Sequence, residues 1–159
     1  MTAGVADGAF IRKPATPARI ADLCRMLNAP PLPGTVTGVT LSSSAVLPGD
    51  LYAALPGART HGAHYAGDAC QRGAAAILTD PAGAALLPEA GVPVIVVADP
   101  RGVLGVVAAT IYGHPGANLR TLAVTGTNGK TTVTYMLRAA LRALGVATGM
   151  IGTTGTWVG

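Results

Sequence analysis

Two rhythms of apolar residues run along the chain. Ile20, Leu23, Cys24 and Leu27 recur at i, i+3, i+4 and i+7, the spacing of one face of a helix. Thr16 as N-cap and Pro17 in the first turn would open that helix, and Asn28 followed by Pro30-Pro31-Leu32-Pro33-Gly34 would end it. Residues 36–41 and 49–55 read as strands joined by 42–48, with Pro56-Gly57 closing the second. Residues 62–72 suit a short helix stopped by Gly73. Residues 74–78 and 92–97 are continuous apolar runs, the pattern of strands covered on both faces in a parallel sheet. Pro100 then opens a predicted helix carrying Val103, Leu104, Val107, Ala108 and Ile111.

Strands alternating with helices predict an α/β fold with a parallel sheet. Gly113-His114-Pro115-Gly116 interrupts this pattern and places a domain boundary just before Asn118. Beyond it the sequence predicts one βαβ unit: a strand at 119–124, a glycine loop at 125–129, a helix at 130–144 capped by Gly145, and a strand at 146–150. The expected organisation is a mobile tail at 1–15, a first domain at 16–117, and at 118–159 the beginning of a second. A doubly wound nucleotide-binding domain needs several such repeats, so the chain is expected to stop inside that second domain.

Composition narrows the choice of partner. Of 159 residues, 50% are hydrophobic and 11% charged, enough to build an aliphatic core. Six aromatic residues are too few for the stacking platforms of single-stranded nucleic-acid binders. The net charge of +4 is scattered, with Arg12-Lys13 the longest basic run, which favours a phosphate ligand over nucleic acid. Cys24 and Cys70 lack metal-ligand spacing and read as two reduced thiols. The first 14 residues lack a basic start followed by an apolar stretch, so no signal peptide is expected. The longest apolar segment, 103–112, falls far short of the ~20 residues that span a bilayer. The expectation is a soluble cytoplasmic protein without membrane contact.

The chemistry concentrates at Thr125-Gly126-Thr127-Asn128-Gly129-Lys130-Thr131-Thr132, where a predicted strand gives way to a helix. Gly126 and Gly129 allow backbone angles that turn successive N–H groups toward an anion, and the helix N-terminus adds its positive end. Lys130, one of two lysines, supplies a point charge for outer phosphates. Thr131 offers a hydroxyl to Mg²⁺ bridging them. The common G-x-x-x-x-G-K-[ST] pattern has glycine where this chain has Val124, so the match is to a shortened variant. The plain alternative is a helix start with a glycine turn.

This loop, with His114-Pro115 upstream and Ile151-Gly152-Thr153 downstream, resembles the Mur ligases, which extend the peptide stem of the cell-wall precursor. Residues 36–78 are similar to the uridine-nucleotide-binding domain of the branch of that family that adds the third amino acid. The resemblance implies an N-terminal uridine-nucleotide-binding α/β domain followed by the first part of a P-loop ATP-binding domain. It implies that Gly126, Thr127, Asn128, Gly129, Lys130, Thr131 and Thr132 hold ATP, with Lys130 catalytic and Thr131 on Mg²⁺. It places Leu41, Ser43, Ala58, Arg59 and Thr60 on the UDP-linked substrate. The family's strand commonly ends in Leu-Asp-Ser-Arg, whereas here Ser42 and Ser44 replace the two charges, losing any ion pair or sugar contact they made.

The implied reaction is ATP-dependent amide ligation on UDP-N-acetylmuramoyl-L-alanyl-D-glutamate. Its D-glutamate carboxylate is activated as an acyl phosphate, then taken by the amine of an acceptor, meso-diaminopimelate or L-lysine. The family's second metal-binding carboxylate, modified lysine and acceptor domain would lie past residue 159, so the chain by itself is expected to be an inactive fragment. Two other classes stay open: a non-catalytic sugar-nucleotide-binding module, and another P-loop ligase or kinase. Elsewhere the ordinary readings lead. His61 and His64 are expected as surface histidines near a helix start rather than metal ligands, and Asp99 before Pro100 as an N-cap. Glu89 is no evident base, and Met26, Met136 and Met150 are expected in the core.

Overall fold

The computed structural model describes residues 16–87 and 89–158, so the predicted tail at 1–15 lies outside the described residues. These residues divide into two compact units, one running through Leu119 and the other starting at Arg120.

The first unit opens with a two-residue strand, β1 (Ala18–Arg19), and helix α1 (Ile20–Met26). Helix α1 starts later than Thr16 and Pro17 suggested. Ala18 and Arg19 are drawn into an antiparallel ladder with β2 (Thr35–Val36), and Arg19 occupies the N-cap without a side-chain bond. The predicted strand at 36–41 is split for the same reason. Val36 belongs to that small ladder, while β3 (Gly38–Thr40) enters the main sheet. Both differences arise from pairing between segments distant in sequence, which the local pattern does not encode.

The main sheet is parallel, with β3, β4 (Asp50–Ala53), β5 (Ala76–Thr79) and β6 (Val94–Val96) in sequential order. Leu51 stands between Val39 and Ala76 in register, and Leu78 opposite Ile95. Side chains alternate across it. Leu51, Ala76, Leu78 and Ile95 pack with Ile20 and Leu23 of α1 and with Val107 and Ile111 of α4 (Pro100–Ile111). Tyr52, Ala54 and Ile77 face Ala63, Ala66 and Ala69, the last two on α2 (Ala66–Gln71). Helices thus cover both faces, which explains why β5 is buried at every position.

The predicted helix at 62–72 is a 3₁₀ turn, Gly62–Tyr65, running into α2. A further short helix, α3 (Pro81–Ala85), follows β5; its few residues carry no apolar period to betray it. Its cap sequence, Asp80-Pro81-Ala82-Gly83, repeats at Asp99-Pro100-Arg101-Gly102 ahead of α4. In both, the aspartate accepts the N–H of the glycine three residues on, at 2.7 Å and 2.9 Å, so Asp99 is the N-cap that its place before Pro100 predicted.

The second unit departs further from expectation. Residues 119–124 form no strand: the segment has no pairing partner among the described residues, and Leu119 and Leu122 are 67% and 65% exposed. The predicted helix is present as α5 (Lys130–Ala143), with Gly145 just past its C-cap at φ +75°. The predicted strand at 146–150 becomes β7 (Gly149–Gly152), antiparallel to β8 (Gly155–Val158), so α5 is followed by a hairpin rather than a parallel return strand. Tyr135 and Trp157 meet edge to face, and the Arg138 guanidinium lies 5.5 Å from the Trp157 ring centre. Met150 is buried as expected, but Met136 and Met26 are exposed at 67% and 37%, Met26 with its sulfur against the Thr110 hydroxyl of α4.

Candidate functional site

The glycine loop stands at the start of α5, the longest helix of the described residues. Gly126 at φ +144° and Gly129 at φ +76° occupy backbone angles that a side chain resists. Gly129 is the N-cap, and no side chain satisfies the first N–H groups of the helix, which leaves them for a ligand. The Lys130 ammonium folds back to donate to the Gly126 carbonyl and, at 3.3 Å, to that of Thr127. No ion pair of the described residues involves Lys130, and the Thr131 hydroxyl makes no hydrogen bond among them. Thr127, Asn128 and Thr132 are exposed on the same loop and first turn. An ammonium, a run of amide donors and a free hydroxyl, all solvent-facing and without a carboxylate, suit a polyphosphate and its magnesium ion.

In the first unit the five predicted substrate residues lie past the carboxyl ends of neighbouring strands, the edge at which open parallel sheets bind ligands. Leu41 directly follows β3 and is 57% exposed. Ser43 opens the 3₁₀ turn Ser43–Ala45. Its hydroxyl donates to Asp68, and this bond, with that from Arg72, holds the Asp68 carboxyl below the usual aspartate range against desolvation, which acts the other way. Ser42 and Ser44, which stand where the resemblance leads one to expect Asp and Arg, bond each other through their hydroxyls at 2.8 Å. A neutral contact thus spans the positions of the two charges. The connection is anchored below by Asp50, a buried carboxylate that accepts the Leu47 N–H at 2.9 Å.

Ala58, Arg59 and Thr60 stand fully in solvent on the loop after β4. Gly62 closes this loop by donating to the Leu55 carbonyl at 2.9 Å, while Tyr52 donates its hydroxyl to the Gly62 carbonyl at 2.9 Å. A Cβ on Gly62 would meet the Leu55 amide nitrogen at 2.9 Å, so only glycine lets the two chain segments approach this closely.

His61 departs from expectation: it is largely buried rather than a surface residue. Its Nδ1 accepts the Ala63 N–H at 3.0 Å, which leaves the proton on Nε2 to be donated to Asp80 at 3.0 Å. Asp80 lies at the end of β5, and its carboxyl is held below the usual range, chiefly by the Gly83 N–H and also by His61, against burial acting the other way. Arg101, at the start of α4, donates to the Pro56 carbonyl at 3.0 Å. The sequence reading missed the pairing of His61 with Asp80 and the bond from Arg101 to the Pro56 carbonyl. Of the two Asp-Pro-x-Gly caps the sequence reading singled out only the one at Asp99, and only the folded chain shows what lies beside them. No group of three or more His, Cys, Asp or Glu among the described residues could hold a metal ion, and no described helix is long and apolar enough to cross a membrane.

Known proteins resemble most of this chain. Residues 35–112 match the family model for the Mur ligase family, catalytic domain, and residues 124–159 that for the Mur ligase middle domain. A Streptomyces coelicolor protein named UDP-N-acetylmuramoyl-L-alanyl-D-glutamate--2,6-diaminopimelate ligase is 52% identical over 145 residues, 90% of this chain and 28% of that protein. A UDP-N-acetylmuramyl-tripeptide synthetase of Leifsonia xyli subsp. xyli is 50% identical over 118 residues, 74% of this chain and 23% of its own length. Among solved structures, MurF from Acinetobacter baumannii superposes with a TM-score of 0.63 at 24% identity, over 83% of this chain and 29% of that one. At that identity the likeness speaks for the fold alone. The chain spans about a quarter of the length of the curated relatives it matches.

Proposed function

The chain belongs to the Mur ligase family, and from that premise we propose that it carries two of the binding sites of an ATP-dependent ligase of peptidoglycan precursor synthesis. In this reading the first unit takes the uridine-nucleotide end of UDP-N-acetylmuramoyl-L-alanyl-D-glutamate, and the second unit takes ATP. The whole enzyme joins the substrate's D-glutamate carboxylate, activated as an acyl phosphate, to the amine of a third amino acid. That amino acid is a 2,6-diaminopimelate, as in the names of the relatives from Streptomyces and Corynebacterium. The reaction runs in the cytoplasm, where the nucleotide substrates are.

The observation that carries the reading is the loop at the start of α5, where uncapped amides, the Lys130 ammonium and a free Thr131 hydroxyl converge without a competing carboxylate. Gly126, Thr127, Asn128 and Gly129 wrap the phosphates with backbone N–H groups, and Lys130 exchanges the carbonyls of Gly126 and Thr127 for the outer phosphate oxygens. Thr131 and Thr132 present hydroxyls at the first turn, Thr131 toward the metal. Bound there, Mg²⁺ would supply the positive charge that offsets the charge of the transferring phosphoryl group. The residues' own contribution is positioning and a field of fixed sign. In the first unit, Leu41 packs against the uracil, while Ser43, Ala58, Arg59 and Thr60 line the path of ribose and diphosphate, Arg59 as the cation.

Calorimetric titration of the 159-residue chain with Mg·ATP and, separately, with the UDP-linked dipeptide tests both sites. Lys130→Ala and Thr131→Ala are each expected to weaken Mg·ATP binding by roughly tenfold or more, the scale of a lost charge-assisted contact, while leaving the UDP-ligand untouched. Unchanged nucleotide affinity in both variants would refute the loop's role. UDP-ligand binding with no Mg·ATP binding in the parent chain would favour a sugar-nucleotide module.

A further inference from the structure

The loop that carries Ala58, Arg59 and Thr60 is exposed along its length, yet both its ends are tied to elements distant in sequence. At its start the Pro56 carbonyl receives Arg101 from α4, 45 residues away. At its finish His61 reaches Asp80 at the end of β5, and the same ring caps the 3₁₀ turn through Ala63. The fit is close, because a Cβ on Gly83 would strike both Thr79 Oγ1 and the His61 ring. Tyr52 and Leu55 hold Gly62 immediately behind. Between the ties the chain turns so tightly that a Cβ on Gly57 would run against the Thr60 backbone carbonyl. The two aspartates that place these groups belong to the repeated Asp-Pro-x-Gly caps, so the starts of α3 and α4 double as fixtures for the loop.

We propose that His61 and Arg101 are positioning residues, a two-point clasp that presents Ala58, Arg59 and Thr60, fixed before binding, to a nucleoside diphosphate sugar. The proposal deepens the reading of the first unit as a UDP-ligand site and rests on it. Neither residue touches the ligand. Each removes motion from a glycine-containing loop that would otherwise have to be ordered at the moment of binding, and ordering of that kind subtracts directly from affinity.

Amide hydrogen exchange and UDP-N-acetylmuramoyl-L-alanyl-D-glutamate binding, measured together on the full 159-residue chain, test the clasp. His61→Asn keeps an acceptor for the Ala63 N–H but is too short to reach Asp80; His61→Gln reaches Asp80. Arg101→Met removes the other tie from an exposed position, where folding is not at stake. His61→Asn and Arg101→Met are expected to speed exchange at 57–60 by about tenfold while β4 and β5 amides keep their protection, and to raise the dissociation constant by a similar factor. His61→Gln is expected to recover most of both. Arg59→Ala should weaken binding without altering exchange, which separates a ligand contact from a positioning residue. Unchanged exchange at 57–60, or faster exchange with unchanged affinity, overturns the clasp. A parent chain that fails to bind the UDP-ligand overturns the site reading itself, and the clasp's role with it, a result visible before any variant is made.

Discussion

At the scale of single residues, the same short cap serves two ends, and its consequences differ with burial. Asp80 and Asp99 each accept a glycine N–H three residues on, but Gly83 is packed under Thr79 and His61 whereas Gly102 lies beside its own cap alone. Gly83→Ala should therefore cost about 2 kcal/mol of stability through overpacking, measured by urea denaturation. Asp99→Ala, at an exposed cap, should cost about 1 kcal/mol. The Asp80 carboxyl titrates below its usual range because the Gly83 N–H, and then His61, favour the charged form. A group depressed in the folded state binds fewer protons there than in the unfolded chain. Its stabilisation is complete above the ordinary aspartate value of about 3.9 and is lost as pH falls through the lower folded value. Between about pH 5 and pH 3 the parent chain should lose more stability than Asp80→Asn, and equal losses would contradict the assignment.

At the scale of elements, the parallel sheet decides where the substrate residues meet. Residues 41 and 43 follow β3 and residues 58–60 follow β4, and because the two strands run parallel and adjacent, both connections emerge at one edge. The site depends on the sheet, and the sheet on two packed faces. Leu51 and Leu78 are fully buried on the face covered by α1 and α4. Leu51→Ala should destabilise the first unit by about 3 kcal/mol in thermal or chemical denaturation, the usual result of emptying a core position that cannot collapse. Tyr112 adds a polar tie from the end of α4, its hydroxyl accepting the Val39 N–H at 3.3 Å.

At the scale of the whole molecule, the two units differ in how much core each owns. Among the described residues almost every buried apolar one lies in the first; the second contributes Met150. Some forty residues with so little buried surface seldom hold together unaided. In the 159-residue chain the amides of β4, β5 and β6 should resist exchange, while those of α5 should exchange faster by several orders of magnitude. Protection of α5 equal to that of the sheet would show that the second unit is stable as it stands. The exposed Leu122, Met136, Leu144 and Ile151 also predict self-association at high concentration, detectable by sedimentation.

The local order of apolar and punctuating residues by itself determined the α/β class, the apolar runs that became β5 and β6, the helices α4 and α5, and the glycine loop with Lys130 behind it. These rest on interactions within a few residues: helical periodicity, caps and backbone angles open to glycine. The tertiary structure alone decided the rest. Val36 left the predicted first strand to pair with Ala18, residues 119–124 found no partner among the described residues to make them a strand, and the last segment folded back as a hairpin. It also turned His61 inward onto Asp80 and brought Arg101 across to Pro56. A ladder or a long-range hydrogen bond exists only when a second segment arrives, and the identity of that partner is set by the packing of the whole rather than by the residues on either side.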